Sequence, residues 1–188
     1  TIDRLREKYS NLLKEKDSED FRDNLKIINN QIKQIGNLVN EFSDFARMPK
    51  PTLRENNLVN LLKENIKLLK ELDNSIEIDL FSNSEKIILN SDKEQISRVF
   101  FNLIKNSIES IQQKGENDSN FNKKITIELK ENDGHIKLNI VDNGIGFGKF
   151  SQNIKDILNP YFTTKKNGTG LGLSIVNKII NDHNGKIE

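Results

Sequence analysis

A narrow stripe of apolar residues, spaced alternately four and three positions apart, constrains the fold of this chain more than any other feature. The stripe runs for three heptads and consists of Phe21, Leu25, Ile28, Ile32, Ile35, Val39 and Phe42. Residues at this spacing line one side of an α-helix, as they do in helical bundles. The pattern predicts one long helix that Ser18 or Asp20 caps and that Pro49-Lys50-Pro51 ends, because proline cannot continue a helix.

A shorter amphipathic helix is predicted before the long one. Its apolar residues are Ile2, Leu5, Tyr9, Leu12 and Leu13, and the polar residues 16–19 are predicted to form the turn between the two helices. The hairpin can pack on a globular core of its own chain or join a partner in a bundle. A stripe this narrow favours the bundle partner, so we expect residues 1–50 to be a dimerising hairpin.

The composition excludes several classes of protein. Of 188 residues, 34% are apolar and 30% are charged, which indicates a small core with an extended polar remainder. The net charge is only +1, so no electrostatic reason exists to expect a nucleic acid or an anionic membrane as partner. Cysteine is absent, which excludes disulfides and thiolate metal sites and fits a reducing compartment. No apolar run reaches the roughly 18 residues that would span a bilayer.

After the prolines, helical and strand patterns alternate. Helices are predicted over Leu58–Leu72 and from residue 92 to about Gln113, the second opened by a capping box of Asp92 with Gln95 or Ser91 with Glu94. Strands are predicted over 75–81 and 86–89, and a hairpin over 125–140 turns at Asp133-Gly134. The polar residues 114–122 read as a loop. This order predicts a two-layer α+β domain over residues 51–188.

Glycines stand where a further helix is predicted to start. Gly168-Thr169-Gly170-Leu171-Gly172-Leu173 directly precedes the apolar helical pattern of residues 174–180. Glycine in the first turn of a helix costs about 1 kcal/mol relative to alanine. It leaves room for a polyanion to reach the unpaired N–H groups and the positive dipole end of the helix. The stretch predicts a phosphate-binding loop, although the residues alone leave a plain turn open.

An aspartate lies at the tip of the last predicted strand. Asp142-Asn143-Gly144-Ile145-Gly146 follows Val141, and its two glycines permit a sharp turn. The turn can aim the carboxylate into a cleft, where it would accept a hydrogen bond from an exocyclic amine such as that of adenine. An ordinary Asp-Asn-Gly turn is the alternative.

Two more features have possible chemical roles. Asn102, Asn106 and Glu109 share one helix face, and amide oxygens are suitable ligands for Mg²⁺, although a chance polar stripe is the alternative in this Asn-rich chain. The segment between the two glycine motifs contains Asn159-Pro160-Tyr161-Phe162-Thr163-Thr164-Lys165-Lys166. It reads either as a lid whose Lys165 or Lys166 reaches a phosphate, or as a solvated basic loop.

The order of these four features resembles the N, G1, F and G2 boxes of histidine-kinase ATP-binding domains. The stretch from Pro160 to Lys165 is similar to sensor histidine kinases rather than to the gyrase, chaperone or mismatch-repair relatives. The stretch from Glu41 to Pro51 resembles the junction after the dimerisation hairpin of NtrY-type nitrogen-regulation kinases. The resemblance covers essentially the whole chain. It implies an α/β sandwich in which ATP lies between helices on one face and a mixed sheet, beneath a mobile lid.

The resemblance also implies roles for individual residues. Asp142 would contact the adenine amine, in a pocket shaped by Gly144 and Gly146. Asn102 and Asn106 would bind Mg²⁺ and phosphates, with Asn106 as the main metal ligand. The lid would contribute Phe162, Thr164 and Lys165, the last reaching the phosphates. The backbone cradle for the phosphates would consist of Gly168, Thr169, Gly170, Leu171 and Gly172.

The phosphoacceptor histidine of the family, and the acidic residue beside it, have no counterpart in this sequence. The two histidines are His135, in the predicted hairpin turn, and His183, near the end of the last helix, and both are expected to be ordinary surface residues. We therefore expect the chain to hold the tail of one dimerisation helix, the whole second helix, and an ATP-binding domain whose last strand is truncated.

The resemblance implies a function for the parent protein. Such a protein would be a membrane-anchored bacterial sensor of which this part is cytoplasmic. It would position Mg-ATP for phosphoryl transfer to a hairpin histidine and from there to a response-regulator aspartate. The alternative is a degenerate module that only dimerises and docks a response regulator, but the intact Asn and Gly sets argue against it.

Overall fold

The computed structural model describes residues 4–5, 15–71, 73–115, 121–148, 154–165 and 168–188. The chain divides into two compact units. The first contains the residues up to Met48 together with Lys165–Thr169, and the second contains Pro49–Thr164 and Gly170–Glu188. The assignment of residues 1–50 to a dimerisation hairpin and of 51–188 to an ATP-binding domain stays a prediction.

The first unit is built on helix α1, Glu15–Ala46, which ends before Pro49 as predicted. The turn predicted at residues 16–19 is wrong, because the helix already includes them. Residues 16–19 contain no glycine or proline, and the lysine and glutamate among them are good helix formers. Ser18 and Asp20 consequently lie inside the helix instead of capping it. Of the shorter helix predicted over residues 2–13, only residues 4 and 5 are described, and both are helical; the remainder lies outside the described residues.

The apolar stripe of α1 is largely exposed within its own unit. Leu25 is buried, but the next five members of the stripe are exposed by 44 to 60%: Ile28, Ile32, Ile35, Val39 and Phe42. Five large apolar side chains in one row form a continuous hydrophobic surface along the helix.

The second unit contains two small sheets. Strand β1, Arg54–Asn57, pairs antiparallel with β3, Ile88–Ser91. The other sheet has the order β2, Glu77–Ser82, then β4, Lys124–Asn132, then β5, His135–Asp142. Strand β4 runs parallel to β2 and antiparallel to β5, so the sheet is mixed. Asp133 and Gly134, both with positive φ, form the tight turn predicted between β4 and β5.

Helices α2, Leu58–Lys70, α3, Lys93–Gly115, and α5, Gly172–Asp182, form the helical layer, and α4, Ile154–Ile157, is a single turn. Helix α3 contacts α2, α5, β4 and β5 and is therefore the centre of the core. Along β4 the side chains of Ile125, Ile127 and Leu129 are at most 1% exposed and alternate with more exposed residues, as expected for a strand with one buried face. The predicted α+β class is confirmed. None of the helices described is long and apolar enough to cross a membrane.

Strand β1 was not predicted from the sequence. Its four residues, Arg-Glu-Asn-Asn, include no β-branched or aromatic side chain, so they carry no local strand signal. Pairing with β3 makes this segment a strand. Its last residue, Asn57, then caps α2, with Oδ1 accepting the Val59 N–H at 3.1 Å.

Candidate functional site

The carboxylate of Asp142, at the end of β5, is oriented by two hydrogen bonds. Its Oδ1 accepts the Gly144 N–H at 2.9 Å and the Ser110 hydroxyl at 3.2 Å. The first bond is an Asx turn, which forms locally, and the second comes from α3. Ser110 is a site residue that sequence reasoning missed. Its position four residues after Asn106, on the same helix face, was the signal that could have found it.

Gly144 lies directly against α3. A Cβ at this position would fall 2.2 Å from Ser110 Oγ and 2.5 Å from the Ser110 carbonyl carbon, so only glycine fits. The Ile145 N–H also donates to the Ser110 carbonyl at 3.3 Å. Gly146 is required for a different reason: its φ is +65°, in the left-handed region, but open space surrounds it.

Asn143 joins the same turn to the start of β4. Its Oδ1 accepts the Lys124 N–H at 3.0 Å, and its Nδ2 donates to the Asn122 carbonyl at 2.6 Å. The Lys114 ammonium of α3 donates to the Asn143 carbonyl at 2.7 Å. The turn after β5 is therefore held by both the sheet and the helical layer.

The asparagine face of α3 meets the start of α5. A Cβ on Gly172 would lie 3.4 Å from Asn102 Oδ1 and 3.9 Å from Asn106 Nδ2. Asn102 donates through Nδ2 to the Arg98 carbonyl at 2.9 Å, which leaves its Oδ1 on the side of Gly172. Packing of α5 on α3 thus brings the predicted metal-binding amides and the last predicted phosphate-loop glycine together.

The N-terminus of α5 has no side-chain cap. Leu171 occupies the cap position and makes no side-chain hydrogen bond to the helix end. The Ser174 hydroxyl, in the first turn, donates to the Leu171 carbonyl at 2.8 Å. The positive end of the helix dipole at this N-terminus favours an anion.

Gly170 holds the end of the predicted lid against the loop. Its φ is +70°, and a Cβ would fall 2.4 Å from the Tyr161 carbonyl carbon, so the position requires glycine on both counts. The Tyr161 N–H donates to the Gly170 carbonyl at 3.0 Å. In the same segment Phe162 is half-buried and Thr164 is exposed.

Three of the predicted site residues belong to the first unit. The Gly168 N–H donates to the Lys165 carbonyl at 3.2 Å, and the Thr169 hydroxyl donates to the Glu41 carboxylate of α1. Lys166, the other lysine predicted to reach a phosphate, lies outside the described residues.

Asp92 caps α3, the helix that carries the asparagines. Its Oδ1 accepts the Glu94 and Gln95 N–H groups at 3.1 and 3.0 Å, and its Oδ2 accepts the Thr52 N–H at 2.8 Å. Asp92 is therefore the N-cap, but neither predicted capping box is completed, because the Asp92 N–H donates to His183 and the Gln95 side chain donates to the Pro49 carbonyl at 3.0 Å. Burial acts to raise the pKa of Asp92, but these three backbone hydrogen bonds outweigh it and lower the pKa.

The expectation that His183 is an ordinary surface residue is wrong. The side chain is half-buried, its Nε2 accepts the Asp92 N–H at 3.0 Å, and its Nδ1 lies 2.8 Å from the Ile179 carbonyl. Because Nε2 acts as the acceptor, the proton is on Nδ1, which donates to Ile179. His135 is exposed, as expected.

The chemistry of the site is that of amides, backbone N–H groups and one carboxylate. Within the described ranges, no cluster of three or more His, Cys, Asp or Glu side chains is arranged to hold a metal ion. A divalent cation here would therefore depend on amide oxygens and on the oxygens of a bound polyanion.

Several curated proteins are similar to nearly the whole chain. An NtrY-like sensor histidine kinase of Rickettsia felis is 34% identical over 99% of this chain and 29% of its own length. The nitrogen regulation protein NtrY of Azorhizobium caulinodans is 31% identical over 100% of this chain and 24% of its own length. The chain thus spans less than a third of these two relatives.

Solved structures and a family model match as well. The catalytic domain of histidine kinase ThkA has a TM-score of 0.60 and 31% identity, covering 70% of this chain and 82% of that one. ThkA in complex with the response regulator TrrA shares the fold over 98% of this chain and 50% of that one, with a TM-score of 0.70 at 24% identity. The model described as histidine kinase-, DNA gyrase B-, and HSP90-like ATPase matches residues 91–188, which is just over half of the chain. This chain belongs to that ATPase family.

Proposed function

We propose that this chain is the ATP-binding region of a two-component sensor histidine kinase, with part of its dimerisation hairpin. Family membership implies ATP as the ligand. The observation that carries the proposal is the position of Asn102 and Asn106 beside Gly172, at the N-terminus of α5 that lacks a side-chain cap. Amide oxygens and helix N–H groups together suit a magnesium–phosphate group.

Asp142 is proposed to bind the adenine amine. Both of its hydrogen bonds in the described part of the chain end on Oδ1, which leaves Oδ2 as an acceptor for the amine. Gly144 lets the turn lie close to α3, and Gly146, which open space surrounds, is proposed to leave room for the base.

The phosphates are proposed to lie at Gly170, Leu171 and Gly172, beside the positive end of the α5 dipole. Asn106, assisted by Asn102, is the proposed ligand of Mg²⁺, which when bound neutralises phosphate charge. The resemblance also assigns ATP-binding roles to Phe162, Thr164, Lys165, Gly168 and Thr169, and these roles are part of the proposal. Phosphoryl transfer requires mainly positioning and charge neutralisation, and this set supplies both.

The acceptor is proposed to be a histidine that this sequence does not contain. His135 lies at a hairpin turn, and His183 is engaged with Asp92 and Ile179. The phosphoryl group would then pass to a response regulator, a partner with which the kinase ThkA has been solved. The exposed stripe of α1 supports a homodimer through the hairpin. From the resemblance alone, the parent protein is proposed to be membrane-anchored, with the present part in the cytoplasm.

Titration with ATP, with and without Mg²⁺, tests the proposal. We expect Mg-dependent binding that Asn106→Ala and Asp142→Asn each weaken by about tenfold, since each removes a ligand contact worth about 1.4 kcal/mol. Asn60→Ala, at an exposed position on α2, is the matched control and should bind as the wild type does.

Absence of any Mg-dependent nucleotide binding by the wild-type chain would contradict the proposal. It would favour the module that only dimerises and docks a response regulator. Tight binding that neither Asn106→Ala nor Asp142→Asn changes would instead contradict the assignment of the site while leaving ATP as the ligand.

A further inference from the structure

We propose that Ser110 is a positioning residue for base recognition, which holds the Asp142 carboxylate in the orientation that accepts the 6-amino group of adenine. This inference rests on the proposed function, and it adds a residue outside the asparagine and glycine motifs. It is carried by the contacts between α3 and the turn that follows β5.

Ser110 contacts this turn in three ways. Its hydroxyl donates to Asp142 Oδ1 at 3.2 Å, and its carbonyl accepts the Ile145 N–H at 3.3 Å. Its side chain and backbone also occupy the space where a Cβ of Gly144 would lie, at 2.2 and 2.5 Å. Ser110 is therefore the residue of α3 that contacts both Asp142 and Gly144, while Lys114 bonds the Asn143 carbonyl of the same turn.

The direction of the hydroxyl bond follows from chemistry. An ionised carboxylate only accepts hydrogen bonds, so the Ser110 hydroxyl must be the donor. The terminal torsion of aspartate is broad and has no sharp minimum. Two donors on Oδ1, the Ser110 hydroxyl and the Gly144 N–H, restrict that torsion and keep Oδ2 as the remaining acceptor.

A carboxylate oxygen held in this way distinguishes bases by the group at position 6 of the purine. The 6-amino group of adenine donates to it, a 6-oxo group presents a second acceptor, and a hydrogen at this position makes no hydrogen bond. Loss of Ser110 should therefore reduce the preference for adenine rather than the affinity for nucleotides in general. A purely structural role of Ser110 would instead reduce the affinity for all nucleotides alike.

The test compares ATP with purine riboside triphosphate, which lacks the 6-amino group, as competitors of a fluorescent ATP analogue on the 188-residue chain in Mg²⁺. We expect the wild type to prefer ATP, and Ser110→Ala to reduce that preference by at least about threefold while binding of purine riboside triphosphate changes little.

Ser110→Thr keeps a hydroxyl and should retain the preference. Ser97→Ala, a half-buried serine on the same helix, is the matched control. Thermal unfolding of each variant verifies that it is folded.

Each outcome decides between the alternatives. Equal weakening of both nucleotides by Ser110→Ala, or an unchanged preference, would overturn the role of Ser110. A wild-type chain that binds both nucleotides equally would also overturn it, while leaving nucleotide binding intact. A wild-type chain that binds neither would overturn the proposed function and, with it, this inference.

Discussion

The imidazole of His183, at the C-terminal end of α5, accepts the backbone N–H of Asp92, at the N-terminal end of α3, over 3.0 Å. The two residues are 91 positions apart. The hydrogen bond connects the helix that starts at Gly172 to the helix that carries Asn102 and Asn106. It therefore helps to keep the two halves of the candidate phosphate site together.

Replacing His183 with alanine should destabilise the second unit. The Asp92 N–H would lose its acceptor in a part-buried position, so we expect the free energy of unfolding to fall by about 1 to 2 kcal/mol. Urea unfolding followed by circular dichroism measures the change. His135→Ala, at an exposed hairpin position, should leave the midpoint unchanged, and equal losses in both variants would show that the Asp92 bond contributes nothing.

Asp92 should make the stability of the chain sensitive to acid. Its pKa is lowered in the folded state, so its stabilising contribution is present above the pKa of the unfolded chain and is lost as the pH falls through the folded value. Asp92→Asn keeps a capping oxygen but removes the charge. We expect it to be less stable than the wild type at pH 7, with a difference that shrinks as the pH falls below the ordinary pKa of aspartate. A difference that stays constant with pH would rule out this contribution.

Gly172→Ala should raise stability and lower nucleotide affinity. Alanine is favoured over glycine within a helix by up to about 1 kcal/mol, and the new Cβ would make an ordinary contact with Asn102 at 3.4 Å. The same methyl group would occupy space beside the proposed phosphates, so we expect ATP binding to weaken by about tenfold. Gly36→Ala, in α1 with no atom within 4 Å of its Cβ, should stabilise its helix without changing ATP affinity. Unchanged ATP binding by Gly172→Ala would exclude this glycine from the phosphate site.

The exposed stripe of α1 should mediate self-association. Ile35 is 60% exposed, and a charge at its position would oppose burial against a second copy. We expect weak, concentration-dependent dimerisation that Ile35→Asp abolishes. Sedimentation equilibrium measures it, and Asn30→Asp adds the same charge at an exposed polar position of α1. A wild-type chain that remains monomeric at high concentration would contradict the prediction.

Local patterns were sufficient for most of the elements, because caps, hydrophobic periods and turn residues act over a few positions. Helices α2, α3 and α5 and the β4–β5 hairpin lie where the sequence predicts them. The prediction of a turn at residues 16–19 was wrong because four polar residues without glycine or proline are also compatible with a helix. Strand β1 was not predicted because its residues form a strand only through pairing with β3.

The sequence by itself determined which residue types are available to the site: the amides of Asn102 and Asn106, the carboxylate of Asp142, and the glycines before α5. Only the tertiary structure decided their arrangement. Packing of α5 on α3 brought Gly172 to the amides, and the fit of Gly144 onto α3 gave the Asp142 carboxylate its second donor, Ser110. These contacts join residues far apart in the chain, and the close packing that creates them depends on the whole core rather than on any local pattern.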